Sequence, residues 1–158
     1  MAERMNYSAV APNAYRSMLG MQKYLASSSI DFALHELIKI RVAQVNGCAY
    51  CVDVHTRDAR AHGEDEYRLH QLAVWRESPV FSDAERAVLE FAETVTLVAE
   101  RGVPIAVWEL VGEHFDEEQV ADILLAIITI NAFTRLAIST GMVPGQSKPA
   151  VAKPVGRP

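Results

Sequence analysis

The chain has 158 residues, of which 50% are hydrophobic, with 15 basic and 20 acidic residues and a formal net charge of -5. This length and composition are typical of one globular domain and exclude an intrinsically disordered chain. The acidic balance argues against sequence-independent binding of nucleic acid, and two cysteines are too few for the disulfide framework of a small secreted domain.

The spacing of apolar residues is helical along almost the whole chain, and it predicts an all-α fold. Alternating β-branched runs bounded by turn pairs, which would indicate strands, are absent from the sequence. The N-terminal half is divided by proline, serine and glycine into four predicted helices. These helices cover residues 12–26, 31–46, 48–62 and 64–75.

Two capping-box patterns predict helix starts in the C-terminal half. The first begins at Ser82, and the second begins at Asp116 and opens a long apolar helix that stops at Gly141. With a short helix between them, the prediction is a single domain of six to eight helices over residues 1–141. The three helices of this half cover residues 82–100, 105–114 and 116–141.

The two ends of the chain and its most apolar stretch indicate where in the cell the protein is expected. The N-terminal sequence lacks the continuous apolar segment of a signal peptide. The stretch 120–133 is interrupted by Asp122, Thr129 and Asn131 and is shorter than the roughly 18 apolar residues of a membrane span, so a buried core helix is predicted. Residues 142–158 are rich in proline and lysine and are predicted to be a flexible tail. A soluble, cytoplasmic protein is expected.

The segment most informative about chemistry holds both cysteines of the chain, as Cys48-Ala49-Tyr50-Cys51, with His55 four residues later. In a helix, Cys48, Cys51 and His55 lie within roughly 60° of one another on one face. The free N–H groups at a helix start lower a thiol pKa, and two sulfurs at this spacing can form a disulfide. His55 lies one turn beyond Cys51 and can exchange a proton with it, so the spacing indicates thiol redox chemistry.

A second titratable group lies on the preceding helix. Glu36 shares a face with the apolar residues Leu37, Ile40 and Ala43. A carboxylate in this setting is expected to be desolvated, which raises its pKa and suits it to act as a base or proton shuttle. A turn at Gly47 would allow the two helices to pack together and bring Glu36 towards the thiols.

Other interpretations of these residues remain open. The cysteines can be small buried packing residues, or they can bind zinc with His55 and Glu36, although the sequence lacks the second ligand pair usual in structural zinc sites. Glu36 can also be an ordinary helix carboxylate paired with Lys39 or Arg41. The remaining histidines lack a partner pattern and are predicted at the surface. They are His35, His62, His70 and His114.

The order of these residues resembles the core motif of the AhpD-like alkylhydroperoxidases, which belong to the carboxymuconolactone decarboxylase superfamily. The resemblance is carried by Glu36, Cys48, Cys51 and His55 and by the wording VNGCAYCVDVHTRDAR around them, and it extends over about residues 31–140. It implies an all-α AhpD-like bundle in which an antiparallel helical hairpin carries the site. It also implies a homo-oligomer, commonly a trimer or hexamer.

The activity implied by the resemblance is thiol-dependent reduction of hydroperoxides. In that family pattern Cys51 would attack the peroxide, Cys48 would resolve the product as a disulfide, and Glu36 and His55 would relay protons. A lipoyl-bearing or thioredoxin-like dithiol would be the reductant, and neither a metal nor an organic cofactor would be required. The helix dipole by itself favours Cys48 as the more acidic thiol, so the two considerations disagree about the attacking sulfur.

One departure from the family pattern concerns Tyr50, which stands where the best-known branch has a histidine before the second cysteine. The rate of hydroperoxide reduction and the identity of the reductant are therefore in question. An alternative of a different class is a redox sensor, or a disulfide-exchange interaction protein, in which the disulfide changes shape with little turnover. The lactone decarboxylase branch lacks the cysteine pair, so its chemistry is not predicted here.

Overall fold

The computed structural model describes residues 2–145, which contain nine α-helices and no strand. The predicted all-α fold is confirmed. Residues 146–158 of the predicted tail lie outside the described residues. The helices are α1 (Tyr7–Val10), α2 (Pro12–Leu25), α3 (Phe32–Val45), α4 (Ala49–Ala61), α5 (Glu66–Gln71), α6 (Asp83–Thr96), α7 (Val98–Arg101), α8 (Ile105–Gly112) and α9 (Glu117–Thr140), with a short 3₁₀ helix at Leu72–Val74.

Both predicted capping boxes are present at the starts of α6 and α9. The Ser82 hydroxyl accepts a hydrogen bond from the Glu85 backbone N–H, and the Glu85 carboxylate accepts one from Ser82. Asp116 and Gln119 make the same reciprocal pair. Each box satisfies N–H groups that have no partner inside the helix, which explains why these two starts could be predicted to the residue.

Two helices differ from their predicted lengths. The helix expected to reach residue 100 ends at Thr96, and α7 follows it as a separate turn. Thr94 and Thr96 donate their hydroxyls to backbone carbonyls of the preceding turn, an arrangement that weakens and bends a helix end. The helix predicted over 64–75 is α5 followed by the 3₁₀ helix. Helix α1 is too short to show periodicity. Together with these two differences, it raises the number of helices above the six to eight expected.

Helix α3 is the centre of the fold, because it packs against α4, α6 and α9. Its side chains enter two apolar clusters. Ile38 and Val42 belong to the main core, which includes both cysteines, and Leu37 and Ile40 belong to a second cluster around Trp75. A helix covered on several sides buries polar residues as well as apolar ones, and this is how the site residues of α3 come to lie inside the protein.

Helix α9 has the length and composition of a membrane-spanning helix. It packs nonetheless against α2, α3, α4, α6 and α8, and Ile123, Ile127 and Ile130 are buried in the main core. Many core helices of soluble proteins share this length and composition, and α9 lies in the core as the sequence predicted.

The turn between α3 and α4 depends on Gly47, whose φ of +69° lies in the left-handed region. We expect Gly47→Ala to lower the free energy of unfolding by roughly 1–2 kcal/mol, because a Cβ is strained at this φ although no atom lies within 4 Å of its position. Urea unfolding measures the change. The matched control is Gly20→Ala, in open space on helix α2, which is expected to raise stability by about 0.5–1 kcal/mol. Equal effects of the two substitutions would contradict the role of the turn.

Candidate active site

The two cysteines occupy the first turn of helix α4. Cys48 is the N-cap residue, and its Sγ accepts a hydrogen bond of 3.3 Å from the backbone N–H of Cys51. A sulfur is therefore held at the positive end of the helix, where a capping oxygen is more common. Cys48 and Cys51 are only 2% and 4% exposed, and both are free thiols.

The local geometry separates the acidities of the two thiols. A hydrogen bond from the Cys51 thiol, helped by backbone N–H groups of Cys51 and Tyr50, lowers the pKa of Cys48 to about 7 despite its burial. The same thiol hydrogen bond and burial raise the pKa of Cys51. Above about pH 7 the pair therefore shares one proton, which lies on Cys51, and the negative charge lies on Cys48. This agrees with the helix-dipole argument about acidity.

A titration of the reduced protein tests this arrangement. We expect one thiol per chain to ionise with a midpoint near pH 7, because the thiolate of Cys48 is stabilised by the helix start. The ultraviolet absorbance of the thiolate should rise through this range, and the step should disappear in Cys48→Ser but persist in Tyr50→Phe, which keeps both sulfurs. Two thiols that both ionise near the ordinary value would contradict the assignment.

Glu36 is buried, at 2% exposed, and its two carboxylate oxygens have different partners. Oε1 accepts a hydrogen bond of 2.8 Å from Nζ of Lys39, and Oε2 lies 2.9 Å from Nδ1 of His55. Glu36 is therefore both the helix carboxylate paired with Lys39, one of the alternatives, and the partner of His55. Arg41, the other cation considered for it, is bound to Glu93 instead, at 2.7 Å.

The predicted direction of the Glu36 pKa is wrong. Burial does raise the pKa of this carboxyl, but the hydrogen bond and charge of His55, followed by those of Lys39, outweigh it and leave the pKa below its usual value. Glu36 is thus a carboxylate at neutral pH. It cannot supply a proton itself, and its chemical effect is to orient the His55 ring through Nδ1.

The Glu36 contact determines how His55 can act. A carboxylate accepts hydrogen bonds, so it favours the tautomer of His55 that carries the proton on Nδ1. Nε2 is then the nitrogen through which the neutral ring can accept a proton. His55 lines a cavity of about 150 Å³ together with Cys51, Tyr50 and Phe133. The sequence-predicted Glu36, His55 and Cys51 are therefore connected by one hydrogen bond and one shared cavity.

Cys48 borders a different cavity, of about 420 Å³, with apolar walls that include Ile138 and Met142 and with Arg4 among its lining residues. Tyr50 lines this cavity as well as the one beside Cys51. The thiols can therefore be approached from different sides. The sequence offered no signal for this division, because it depends on how the N-terminal segment and the end of α9 pack beside the α3–α4 turn.

Other predictions about polar residues have mixed outcomes. Residues 2–145 contain no group of three or more His, Cys, Asp or Glu side chains arranged to hold a metal ion. His62, His70 and His114 are exposed as expected, whereas the surface prediction for His35 is wrong, because His35 is only 5% exposed. The reason is the packing of α9 against α3, which has no local signature in the sequence.

Comparison with known proteins gives matches over the segment that carries the candidate site. The sequence profile of the carboxymuconolactone decarboxylase family matches residues 12–94. The uncharacterized protein YdfG of Bacillus subtilis is 45% identical over 141 residues, which are 89% of this chain and 96% of that protein. These two matches cover the segment with the cysteine pair.

Solved structures agree with the sequence matches. A protein of unknown function from Agrobacterium tumefaciens, described as a candidate antioxidant defence protein AhpD, superposes with a TM-score of 0.89 and 35% identity over 92% of this chain and 100% of that one. An uncharacterized peroxidase-related protein from Ralstonia eutropha, with an alkylhydroperoxidase AhpD core, superposes with a TM-score of 0.78 and 25% identity over 88% of this chain and 74% of that one. The predicted AhpD-like helical fold is thereby confirmed.

Proposed function

The chain belongs to the carboxymuconolactone decarboxylase family, and we propose that it is a thiol-dependent hydroperoxide reductase acting through Cys48 and Cys51. The observation that carries the proposal is the first turn of α4, where an acidified thiol and a protonated thiol are hydrogen-bonded beside a histidine oriented by Glu36. A nucleophilic sulfur, a resolving sulfur and a proton carrier are the three groups that peroxide reduction by a dithiol requires.

In the proposed reaction, the attacking species is the less populated form of the pair, in which Cys51 has passed its proton to the sulfur of Cys48 along their hydrogen bond. The Cys51 thiolate attacks the terminal peroxide oxygen. The O–O bond breaks, a sulfenic acid forms on Cys51, and the leaving alkoxide takes a proton from solvent through His55. Cys48 then attacks the sulfenic sulfur, and its proton leaves with the hydroxyl as water. In total, two thiols and one hydroperoxide become a disulfide, an alcohol and water.

The disulfide must be reopened by an external dithiol through two thiol–disulfide exchanges. A lipoyl-bearing or thioredoxin-like protein in the cytoplasm is the proposed reductant. The cavity beside Cys48 supports this, because its apolar walls suit the hydrocarbon part of a lipoyl group and Cys51 is not among its lining residues. The proposal therefore gives the peroxide and the reductant different approaches.

We also propose that the chain acts as a homo-oligomer, a trimer or hexamer. Support comes from large apolar side chains that stand exposed on α7 and α8, since monomeric proteins rarely expose contiguous apolar surface. Ile105 is 69% exposed and Trp108 is 45% exposed. Measurement of the molar mass in solution tests this part of the proposal separately from the chemistry.

The test of function is consumption of hydroperoxides by the reduced protein. We expect turnover with an organic hydroperoxide in the presence of dihydrolipoamide or reduced thioredoxin, with one disulfide formed per chain in the absence of the dithiol. A protein that forms the disulfide stoichiometrically but does not turn over with either dithiol would support the alternative, a redox sensor. A protein whose free thiols react with no peroxide at all would exclude both.

A further inference from the structure

A third cavity, of about 400 Å³, lies beside the Glu36–His55 pair and is larger than the one at Cys51. Its walls come from α3, α4, α9 and the end of α2. This volume is in the range of cavities that bind small molecules in proteins. The reaction proposed above uses only one edge of this space, so most of the cavity has no assigned role.

Two buried polar atoms on the wall of this cavity have no hydrogen-bond partner. Among residues 2–145, only three buried side-chain nitrogen or oxygen atoms lack one, and two of the three are Nε2 of His35 and Oγ1 of Thr129. Both side chains are more than nine-tenths buried, at 5% and 3% exposed. Native proteins satisfy nearly all such atoms, and two exceptions on residues that line one cavity indicate a ligand that satisfies them.

The charges around the cavity favour an uncharged ligand. The ammonium group of Lys39 is already bound to the Glu36 carboxylate at 2.8 Å, and the second oxygen of that carboxylate is bound to His55. Burial, followed by the charge of Lys39, lowers the pKa of His35, so its ring is neutral near pH 7. A neutral imidazole and a hydroxyl can each donate or accept one hydrogen bond, which suits a hydroxyl or carbonyl group.

Most of the remaining wall is apolar or aromatic, and its other polar residues are Gln22 and Asp58. Ala126 lies one turn before Thr129 on α9 and Ile130 directly follows it, and Phe32 stacks on His62 with ring centroids 3.8 Å apart. A flat or hydrocarbon body can pack against these side chains while its polar group reaches Thr129. The wall therefore matches a small apolar molecule that carries a single uncharged polar group.

The cavity adjoins the one that is lined by Cys51, the reacting residue. Four residues line both this cavity and the one at Cys51, namely Gln22, Tyr50, Val54 and His55. We propose that the cavity holds the organic part of the hydroperoxide, and that His35 Nε2 and Thr129 Oγ1 bind a hydroxyl or carbonyl on that part. This inference rests on the proposed function and names its substrate class, organic hydroperoxides with a second, uncharged polar group, in preference to hydrogen peroxide.

Binding can be measured without turnover. The probes are para-cresol and toluene, which differ by one hydroxyl, added to the reduced full-length protein and followed by the NMR signals of the histidine rings. We expect para-cresol to bind up to about tenfold more tightly than toluene, the value of one hydrogen bond between neutral groups. Thr129→Val should remove the preference, because valine keeps the volume and lacks the hydroxyl, and Thr129→Ser should retain it.

A matched control is Thr94→Val on α6, where the buried hydroxyl is bound to the Glu90 carbonyl and lies away from the cavity. It should leave the preference for para-cresol unchanged. Without ligand, Thr129→Val should raise the melting temperature by roughly 1–3 °C, because it removes an unpaired buried hydroxyl, whereas Thr94→Val should not. A melting temperature lowered by Thr129→Val would show that the hydroxyl already has a partner and would overturn the inference.

The kinetic test compares cumene hydroperoxide with its para-hydroxy derivative. The ratio of their kcat/KM values should favour the derivative, and Thr129→Val should reduce that ratio by up to about tenfold. Equal binding of para-cresol and toluene would mean that His35 and Thr129 do not bind the hydroxyl, and binding of neither would mean that the cavity holds only water. Either result would overturn the inference even if the enzyme reduces peroxides. A hydroxyl preference in a protein without peroxide turnover would support the cavity as a ligand site and reject the proposed function.

Discussion

Replacing Cys51 with serine is expected to reduce dithiol-dependent hydroperoxide turnover by about a thousandfold or more, because the attacking sulfur is lost. Replacing Cys48 with serine is expected to stop multiple turnover as well, but to leave one reaction per chain. In that variant Cys51 can still attack the peroxide and stay as a sulfenic acid, since no second thiol remains to close a disulfide. Continuous peroxide consumption measures the first effect, and a single-turnover assay measures the second.

The serine at position 48 should preserve the helix, because serine is a favourable N-cap residue. It should also bring the pKa of Cys51 down towards its ordinary value, since the hydrogen bond to the Cys48 sulfur is what raises it most. A reagent that traps sulfenic acids, followed by mass spectrometry, should therefore label Cys51 in Cys48→Ser. The opposite result, with label on Cys48 in Cys51→Ser and no label on Cys51 in Cys48→Ser, would exchange the two roles. Cys48, whose thiol is made more acidic by the helix start, would then be the attacking residue.

The features of the site that follow from local spacing were predictable from the sequence. Cys48 and Cys51 are three residues apart, so a helix start at Cys48 is sufficient to put the sulfur against the N–H of Cys51. The capping boxes are local for the same reason. A contact between residues three or four positions apart needs no knowledge of how helices pack.

Several features that depend on packing between helices were predicted with the wrong sign or not at all. The lowered pKa of Glu36 needs His55, 19 positions away, to approach it across the turn at Gly47. The burial of His35 and the unpaired hydroxyl of Thr129 need α9 to cover α3. Hydrophobic periodicity shows which face of a helix is buried on average, but α3 is covered by three other helices, so its polar residues are buried as well.

Replacing Glu36 with glutamine is expected to lower kcat/KM for hydroperoxides by about a hundredfold, with the volume of the side chain unchanged. Each carboxylate oxygen now accepts a different donor, Nζ of Lys39 and Nδ1 of His55. Glutamine has one oxygen, so its NH₂ group must face one of these donors. If the NH₂ faces Lys39, two donors oppose each other. If it faces His55, the ring must carry its proton on Nε2 and can no longer accept one there.

Either arrangement damages the proton relay, so the loss in Glu36→Gln should appear mainly in kcat and should change the pH profile. The matched control is Glu93→Gln, a second buried carboxylate, which accepts hydrogen bonds of 2.7 Å from Trp75 and Arg41. This control should lower the free energy of unfolding, because it removes the buried negative charge that pairs with Arg41 and Arg76, while kcat and its pH profile stay close to those of the parent protein. If the two substitutions destabilised the protein equally and changed kcat equally, the effect of Glu36 would be structural. A loss confined to Glu36→Gln, at a temperature where both variants are folded, is the result that a proton relay through His55 requires, because only that carboxylate orients the ring beside Cys51.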